Sequence, residues 1–288
     1  MANTYQFKHT GLPIIVIHDA PELPIGKSEL TMLVMIQKGK AVHVVNNQSF
    51  PVSAGDVFVI NSKLNHSFKQ IDALTLISVV FDPVELNMDK WDIGDLPGFR
   101  PLFLLEPEYH EPRRYTGRLE LNGNEMRKTQ SIITRLEDEI NNKNPGFKMD
   151  AKAIFTRLLI YLSRCYQDSA RTNPHTMSLM RVAKAIEYLD KHFLDDINYH
   201  ELSHIAGMSQ RHFQRVFRHA LDCGARQYVI RLRIRKAMQM LRETALSVSE
   251  ISFECGFEDS NYFSRMFRKY SGSTPLKYRQ VESEINSA

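Results

Sequence analysis

The sequence predicts an α+β chain. A β-rich first half ends in two helices, and an all-helical second half carries two helix-turn-helix motifs. Three observations predict this. Short β-branched segments at residues 30–81 read as strands, almost everything after residue 123 has helical periodicity, and residues 201–270 contain an internal repeat. A length of 288 residues suits two domains, and 43% hydrophobic with 24% charged residues supports packed cores and argues against wholesale disorder.

The strands come first. LTMLVMI (30–36), KAVHVV (40–45), DVFVI (56–60) and LTLISVVF (74–81) are apolar and β-branched. Breaks are expected at Gly39, Asn46-Asn47, Ala54-Gly55 and Asn65. Short strands at this spacing predict an antiparallel barrel or sandwich. Residues 82–122 read as irregular, with five prolines from Pro83 to Pro112. Helices are expected at 124–141, through Met126, Ile133, Leu136 and Ile140, and at 150–166, over a wider apolar stripe. Asn124 and Asp150 are their expected N-caps. The segment 167–177 is poor in apolar residues and reads as a linker. Six helices should follow, at 178–193, 199–206, 209–220, 225–242, 248–255 and 260–270, and the tail 281–288 should fray.

The repeat aligns 201–219 with 250–270. Leu202 pairs with Ile251, Ser203 with Ser252, Gly207 with Gly256, and Met208 with Phe257. After one inserted residue, Phe213 pairs with Phe263, Arg215 with Arg265, Phe217 with Phe267, and Arg218 with Arg268. In each copy a short helix ends at a glycine suited to a left-handed turn. An apolar residue plugs the corner, and a capping residue starts the next helix: Ser209 in one copy, Asp259 or Ser260 in the other. That next helix has two distinct faces. Gln210, Arg211, Gln214, Arg215 and Arg218 oppose Phe213, Val216 and Phe217 in the first copy. Ser260, Asn261, Ser264, Arg265 and Arg268 oppose Phe263, Met266 and Phe267 in the second.

These polar faces suit a major groove. Arginine pairs with guanine O6 and N7, glutamine and asparagine pair with adenine N6 and N7, and serine or a more distal arginine suits phosphate. One such helix would be unremarkable as a solvated face; two with matching glycines and plugs point to double-stranded operator DNA. The charge agrees, since residues 201–280 hold 14 Lys and Arg against 7 Asp and Glu. A connector of about 18 residues, 226–243, would span roughly 27 Å as one helix, so one chain could reach two successive major grooves.

The second copy, with Gly256-Phe257, Tyr262-Phe263, Arg265, Phe267, Gly272, Pro275 and Tyr278-Arg279, resembles the strongest signature of the AraC/XylS transcription regulators. The resemblance covers residues 178–280 and implies a seven-helix DNA-binding domain. There are departures: Ser203 and Ser252 replace alanines, Asp222 stands where a glycine is usual, and Ala225 where a proline is. Residues 55–68, GDVFVINSKLNHSF, resemble the second motif of the cupin-like sensor barrel of that family, with Asn61 and Lys63 in place of Pro and Gly. Residues 99–166 are similar to the sugar-responsive members, particularly regulators of rhamnose use. The resemblance implies an effector-responsive activator with a sensor domain over 1–166. The helices at 124–141 and 150–166 carry more apolar positions than a small barrel needs to cover one end, which predicts that this part also forms a homodimer. A cupin-like pattern without a metal cluster predicts a small polar effector, a sugar or its derivative, and RNA polymerase is a further expected partner. His43, His66 and Trp91 are the candidate ligand-binding residues, with Phe58, Phe68 and Tyr115 as aromatic neighbours.

Other functions fit less well. A metal-dependent cupin enzyme needs several histidines and a carboxylate, but the clustered His-x-His is absent and only His43 lies near its place. No metal or other cofactor is therefore expected. A DNA-repair alkyl acceptor needs an activated thiol, and Cys165, Cys223 and Cys255 all fall in apolar helical patterns. No catalytic constellation is visible, so the chain is not expected to be an enzyme. The N-terminus lacks a signal-peptide pattern, and no apolar run reaches the ~18–20 residues that span a bilayer, so a cytoplasmic protein with no membrane partner is expected.

Overall fold

A computed structural model describes residues 11–19, 30–45, 48–61, 66–88, 92–108 and 118–286. The chain divides into two compact units after Met180.

The first unit is built on an antiparallel sheet of six strands: β1 (Ile14–His18), β2 (Thr31–Val45), β3 (Gln48–Ser53), β4 (Asp56–Asn61), β5 (His66–Phe81) and β6 (Leu119–Glu120). The order is β1-β5-β2-β4-β6, and β3 pairs with β2. Strand β2 is long enough to serve two partners on one edge. Residues 31–35 pair with β4 and residues 40–45 with β3, while β5 runs along the other edge.

Gly39 does not break the strand as the sequence predicts. Its φ is +75°, the ladder to β5 shifts register on either side, and β2 continues through the irregularity. A Cβ at Gly39 would lie 2.3 Å from the carbonyl oxygen of Ala73. Glycine is therefore needed here for close approach as well as for its φ. The break at Ala54-Gly55 is present, with Gly55 at φ +98°. Those at Asn46-Asn47 and Asn65 lie outside the described residues.

Alternation in the strands gives the sheet two buried faces. Leu33, Met35, Val57, Val59, Ile77 and Val79 face one cluster, which is completed by α1 (Gly123–Asn142) and α2 (Phe147–Ser169). Met32, Val34, Ile36, Phe58, Ile60, Leu76 and Val80 face the other. Among the described residues the second cluster is drawn from the strands and Leu30, so the sheet curls around it. Asn122 caps α1 through a reciprocal capping box with Glu125, two residues before the expected cap. Helix α2 is preceded by Gly146 in the left-handed region and starts before Asp150.

The segment after β5 is less irregular than its prolines imply. A 3-10 turn (Asp92–Asp95) and a π-helical segment (Arg100–Leu105) bury Ile93, Leu102, Phe103 and Leu105. This segment delivers Glu106, which is 1% exposed, to a polar cluster. The Tyr166 hydroxyl donates to its Oε1 at 2.5 Å, and His175 Nε2 lies 3.2 Å from its Oε2. Burial pushes the Tyr166 phenol up, and the neighbouring carboxylate adds to the shift.

Helix α3 (Pro174–His192) begins in the first unit and ends in the second. Asn173 Oδ1 accepts from the amides of His175 and Thr176, and Pro174 occupies the first turn, so α3 starts inside the segment 167–177. The remaining helices are α4 (Glu201–Ile205), α5 (Gln210–Leu221), α6 (Ala225–Glu243), α7 (Val248–Glu254), α8 (Ser260–Ser271) and α9 (Pro275–Asn286). With α3 they make seven among the described residues. Helix α9 extends into the stretch expected to fray.

Candidate nucleic-acid interface

The repeat read in the sequence is reproduced bond for bond at the two turns. In the first, Gly207 has φ +59°, its amide donates to the His204 carbonyl, and the Met208 amide donates to the Ser203 carbonyl. In the second, Gly256 has φ +79°, its amide donates to Phe253, and the Phe257 amide donates to Ser252. Each turn thus satisfies the orphan carbonyls of its first helix in the Schellman manner. The Ser209 hydroxyl then caps α5 by accepting from the His212 amide. Asp259, rather than Ser260, caps α8 by accepting from the Asn261 amide.

Packing behind the two helices repeats as well. Phe213 and Phe217 have ring centroids 5.4 Å apart, and Phe263 and Phe267 are 5.6 Å apart. Tyr228 meets Phe217 edge-on at 6.0 Å, and Tyr278, fifty positions later, meets Phe267 edge-on at 5.6 Å. All four phenylalanines are buried. Anchoring of this kind fixes which face of each helix points outward.

On the outward face, Gln210, Arg211, Gln214, Arg215 and Arg218 of α5 are exposed. On α8, Asn261, Arg265 and Arg268 are exposed, and Ser260 and Ser264 are half-buried. Gln210 Nε2 lies 3.2 Å from His200 Nδ1, and the Arg265 guanidinium sits 5.7 Å from the Tyr262 ring centroid. These contacts hold two of the polar side chains in place without covering them. Asp222, standing where a glycine is usual, takes the left-handed conformation itself at φ +50°, as Gly272 does at φ +78° after α8. Helix α5 therefore ends in the same geometry as α8, with a strained residue supplying it.

The connector α6 has 19 residues and spans about 28 Å. Apart from Tyr228, the counterpart of Tyr278, alignment of the two copies gives no signal for its residues, because they lie between the copies. Helix α6 carries exposed Arg226, Arg231, Arg235 and Arg242.

Both parts of the chain match known protein families. Residues 202–281 match the model of a helix-turn-helix domain, and residues 30–159 match that of an AraC-like ligand binding domain. The HTH-type transcriptional activator RhaR of Cronobacter sakazakii is 31% identical over 278 residues, covering 93% of this chain and 91% of that protein. The chain belongs to the AraC family of transcription regulators. RhaR of Escherichia coli K12 is 29% identical over 254 residues, covering 88% of this chain and 85% of that one. The crystallised DNA-binding domain of AdpA, in complex with a target DNA, is 29% identical over 35% of this chain, with a TM-score of 0.34. AraC-type proteins bind DNA and a small-molecule effector and are regulators rather than enzymes.

The AraC-type binding domain places two of the three candidate ligand residues together. His43 is fully buried, with its ring near-parallel to those of Phe58 at 4.6 Å and Phe68 at 4.7 Å and with His66 edge-on at 5.6 Å. Burial lowers the pKa of His43 to about 3, helped by His66, and burial lowers that of His66 to about 4. Both rings are neutral at pH 7. Trp91 and Tyr115 lie outside the described residues. Among the described residues no group of three or more His, Cys, Asp or Glu is placed to share a metal ion, and no helix is long and apolar enough to cross a membrane. The three cysteines are buried, and burial raises all their pKa values, those of Cys165 and Cys255 to about 11. That is opposite to the activation an alkyl acceptor needs.

Proposed function

We propose that this protein is an effector-responsive activator of a sugar-utilisation operon, and that it reads two successive major grooves with α5 and α8. The observation that carries the reading is the duplication of turn, cap and aromatic anchor, which presents two matched polar faces. The RhaR relatives, named as transcriptional activators, supply the direction of regulation. Residues 178–280 form the DNA-binding part. Residues 1–166 form the sensor and dimerisation part, in which His43 and His66, with Trp91, contact a sugar or sugar derivative. The protein acts in the cytoplasm, as a homodimer and with RNA polymerase as a further partner.

Titration of single-base variants of a selected binding site, at several salt concentrations, tests the DNA reading. Replacing Arg211 or Arg265 with alanine should cost about 1–3 kcal/mol and relax base preference within one segment of the site. Replacing Arg268 should weaken all sequences alike and lower the salt slope by about one. Uniform losses for Arg211→Ala and Arg265→Ala, with base preference intact, would mean these arginines position the protein and do not read bases.

The sensor reading is tested on the full chain by thermal shift and sedimentation with a panel of aldoses, rhamnose among them. A bound effector at 100 times its dissociation constant should stabilise the sensor by about 2.7 kcal/mol. His66→Phe should abolish the shift. The protein should sediment as a dimer at micromolar concentration. A shift unaltered by His66→Phe would move the ligand elsewhere, and a monomer would remove the dimer.

A further inference from the structure

The connector α6 packs each of its halves on a different core. Val229 is buried, and Tyr228 beside it meets Phe217 of the first motif. Ile234, Ala237 and Leu241 join Ile251, Cys255, Phe257, Phe263 and Phe267 of the second. Between these two sets sits Arg233. Its Nε donates to the carbonyl of Phe193 at 2.6 Å, and its Nη2 donates to the carbonyl of Asp195 at 2.8 Å. Its Nη1 donates to the carbonyl of Gly256.

The first two acceptors lie just beyond α3, on the segment that leads into the first motif. The third is the turn glycine of the second motif. One planar guanidinium therefore bonds three backbone carbonyls from two segments more than fifty residues apart. Guanidinium donors are fixed in one plane, so three simultaneous bonds fix the acceptors relative to one another in a way a flexible ammonium cannot.

The two turn glycines show that this contact is specific to the second motif. A Cβ on Gly207 would meet nothing within 4 Å, so glycine is required there only for its φ. A Cβ on Gly256 would lie 2.8 Å from the Leu194 carbonyl oxygen and 2.9 Å from Arg233 Cζ. The second turn is thus docked against the entry to the first motif and the arginine. The Phe257 plug also lies under the guanidinium, with its ring centroid 5.9 Å from Cζ.

We propose that Arg233 is a positioning residue that sets the spacing and orientation of the two recognition helices, and thereby selects the operator spacing the chain accepts. It need not touch DNA to do this. Adding or removing one base pair between the two groove segments shifts one by about 3.4 Å along the axis and rotates it around the duplex. A rigid pair of helices rejects that change, whereas a pair free to pivot tolerates it. The proposal rests on the reading that both helices enter grooves.

The test uses the full chain and a duplex selected from a random library, together with versions carrying one base pair more or less between the two segments. Wild type should bind the selected spacing at least about tenfold more tightly than either altered spacing, the scale of a lost base-pair contact. In Arg233→Lys that ratio should fall to about twofold or less, while base preference within each segment persists. Gly256→Ala, which pushes on the same guanidinium and leaves it in place, should flatten the ratio in the same direction. Arg233→Lys that binds more weakly but keeps the wild-type ratio would overturn the proposal. So would a variant that fails to fold, because the arginine would then serve the fold and not the spacing. Wild type that binds all spacings alike would instead overturn the two-groove reading.

Discussion

Replacing Gly98 with alanine is expected to destabilise the first unit by about 3 kcal/mol, the upper end of the usual cost of overpacking. A Cβ at Gly98 would lie 1.8 Å from the carbonyl oxygen of Ser163 and 2.7 Å from its carbonyl carbon. Both atoms belong to the backbone of α2, so no side-chain rotation can relieve the clash. The segment must move off the helix, and it carries Phe99, Leu102, Phe103 and Leu105, all buried. Glu106 follows directly, so its bonds with Tyr166 and His175 would be strained as well. For a unit of this size the loss should lower the melting temperature by about 6–12 °C. Gly94 provides the control, because a Cβ there would meet nothing within 4 Å and Gly94→Ala should change stability by less than about 0.5 kcal/mol. Equal melting temperatures for Gly98→Ala and Gly94→Ala would show that the close packing against α2 is not what holds the segment.

Acid should unfold the first unit through His43 and His66. Their folded pKa values of about 3 and about 4 lie below the ordinary 6.5, chiefly because burial penalises the charged ring. The unfolded chain therefore takes up protons first as pH falls. The contribution of the two neutral rings is complete above about pH 6.5 and is lost progressively toward pH 4 and below. Each histidine contributes a slope that approaches about 1.4 kcal/mol per pH unit within that window. Together they should dominate the acid limb of stability between roughly pH 6 and pH 4. Urea unfolding of wild type and of a His43→Phe, His66→Phe double variant, at half-unit steps of pH, reads the effect as a difference that cancels the carboxylates common to both. The variant should have the flatter curve. Parallel curves would mean that the rings gain protons in the folded state as readily as in the unfolded one.

Much of this chain was determined by local pattern. Turn glycines, corner plugs and capping residues are short-range features. Each has one inexpensive backbone solution, so the helix-turn-helix pair and its outward polar faces were legible in the sequence. The AraC-type resemblance added the sensor domain on the same local grounds. What tertiary structure alone decided are features in which residues far apart in the chain share a contact. Gly39 looks like a strand terminator, but the backbone of Asp72 and Ala73 crosses so closely that it becomes a bulge within one long strand. Pro97, Pro101 and Pro107 look like loop punctuation, but packing against α2 orders the intervening residues and brings Glu106 to Tyr166 and His175. Arg233 looks like one more cation on a basic helix, and only the fold brings the Phe193, Asp195 and Gly256 carbonyls to it. Sequence periodicity records which side of an element faces an apolar core. It carries no record of which backbone carbonyl, many residues away, will lie opposite a given side chain, because that depends on how already-formed elements pack.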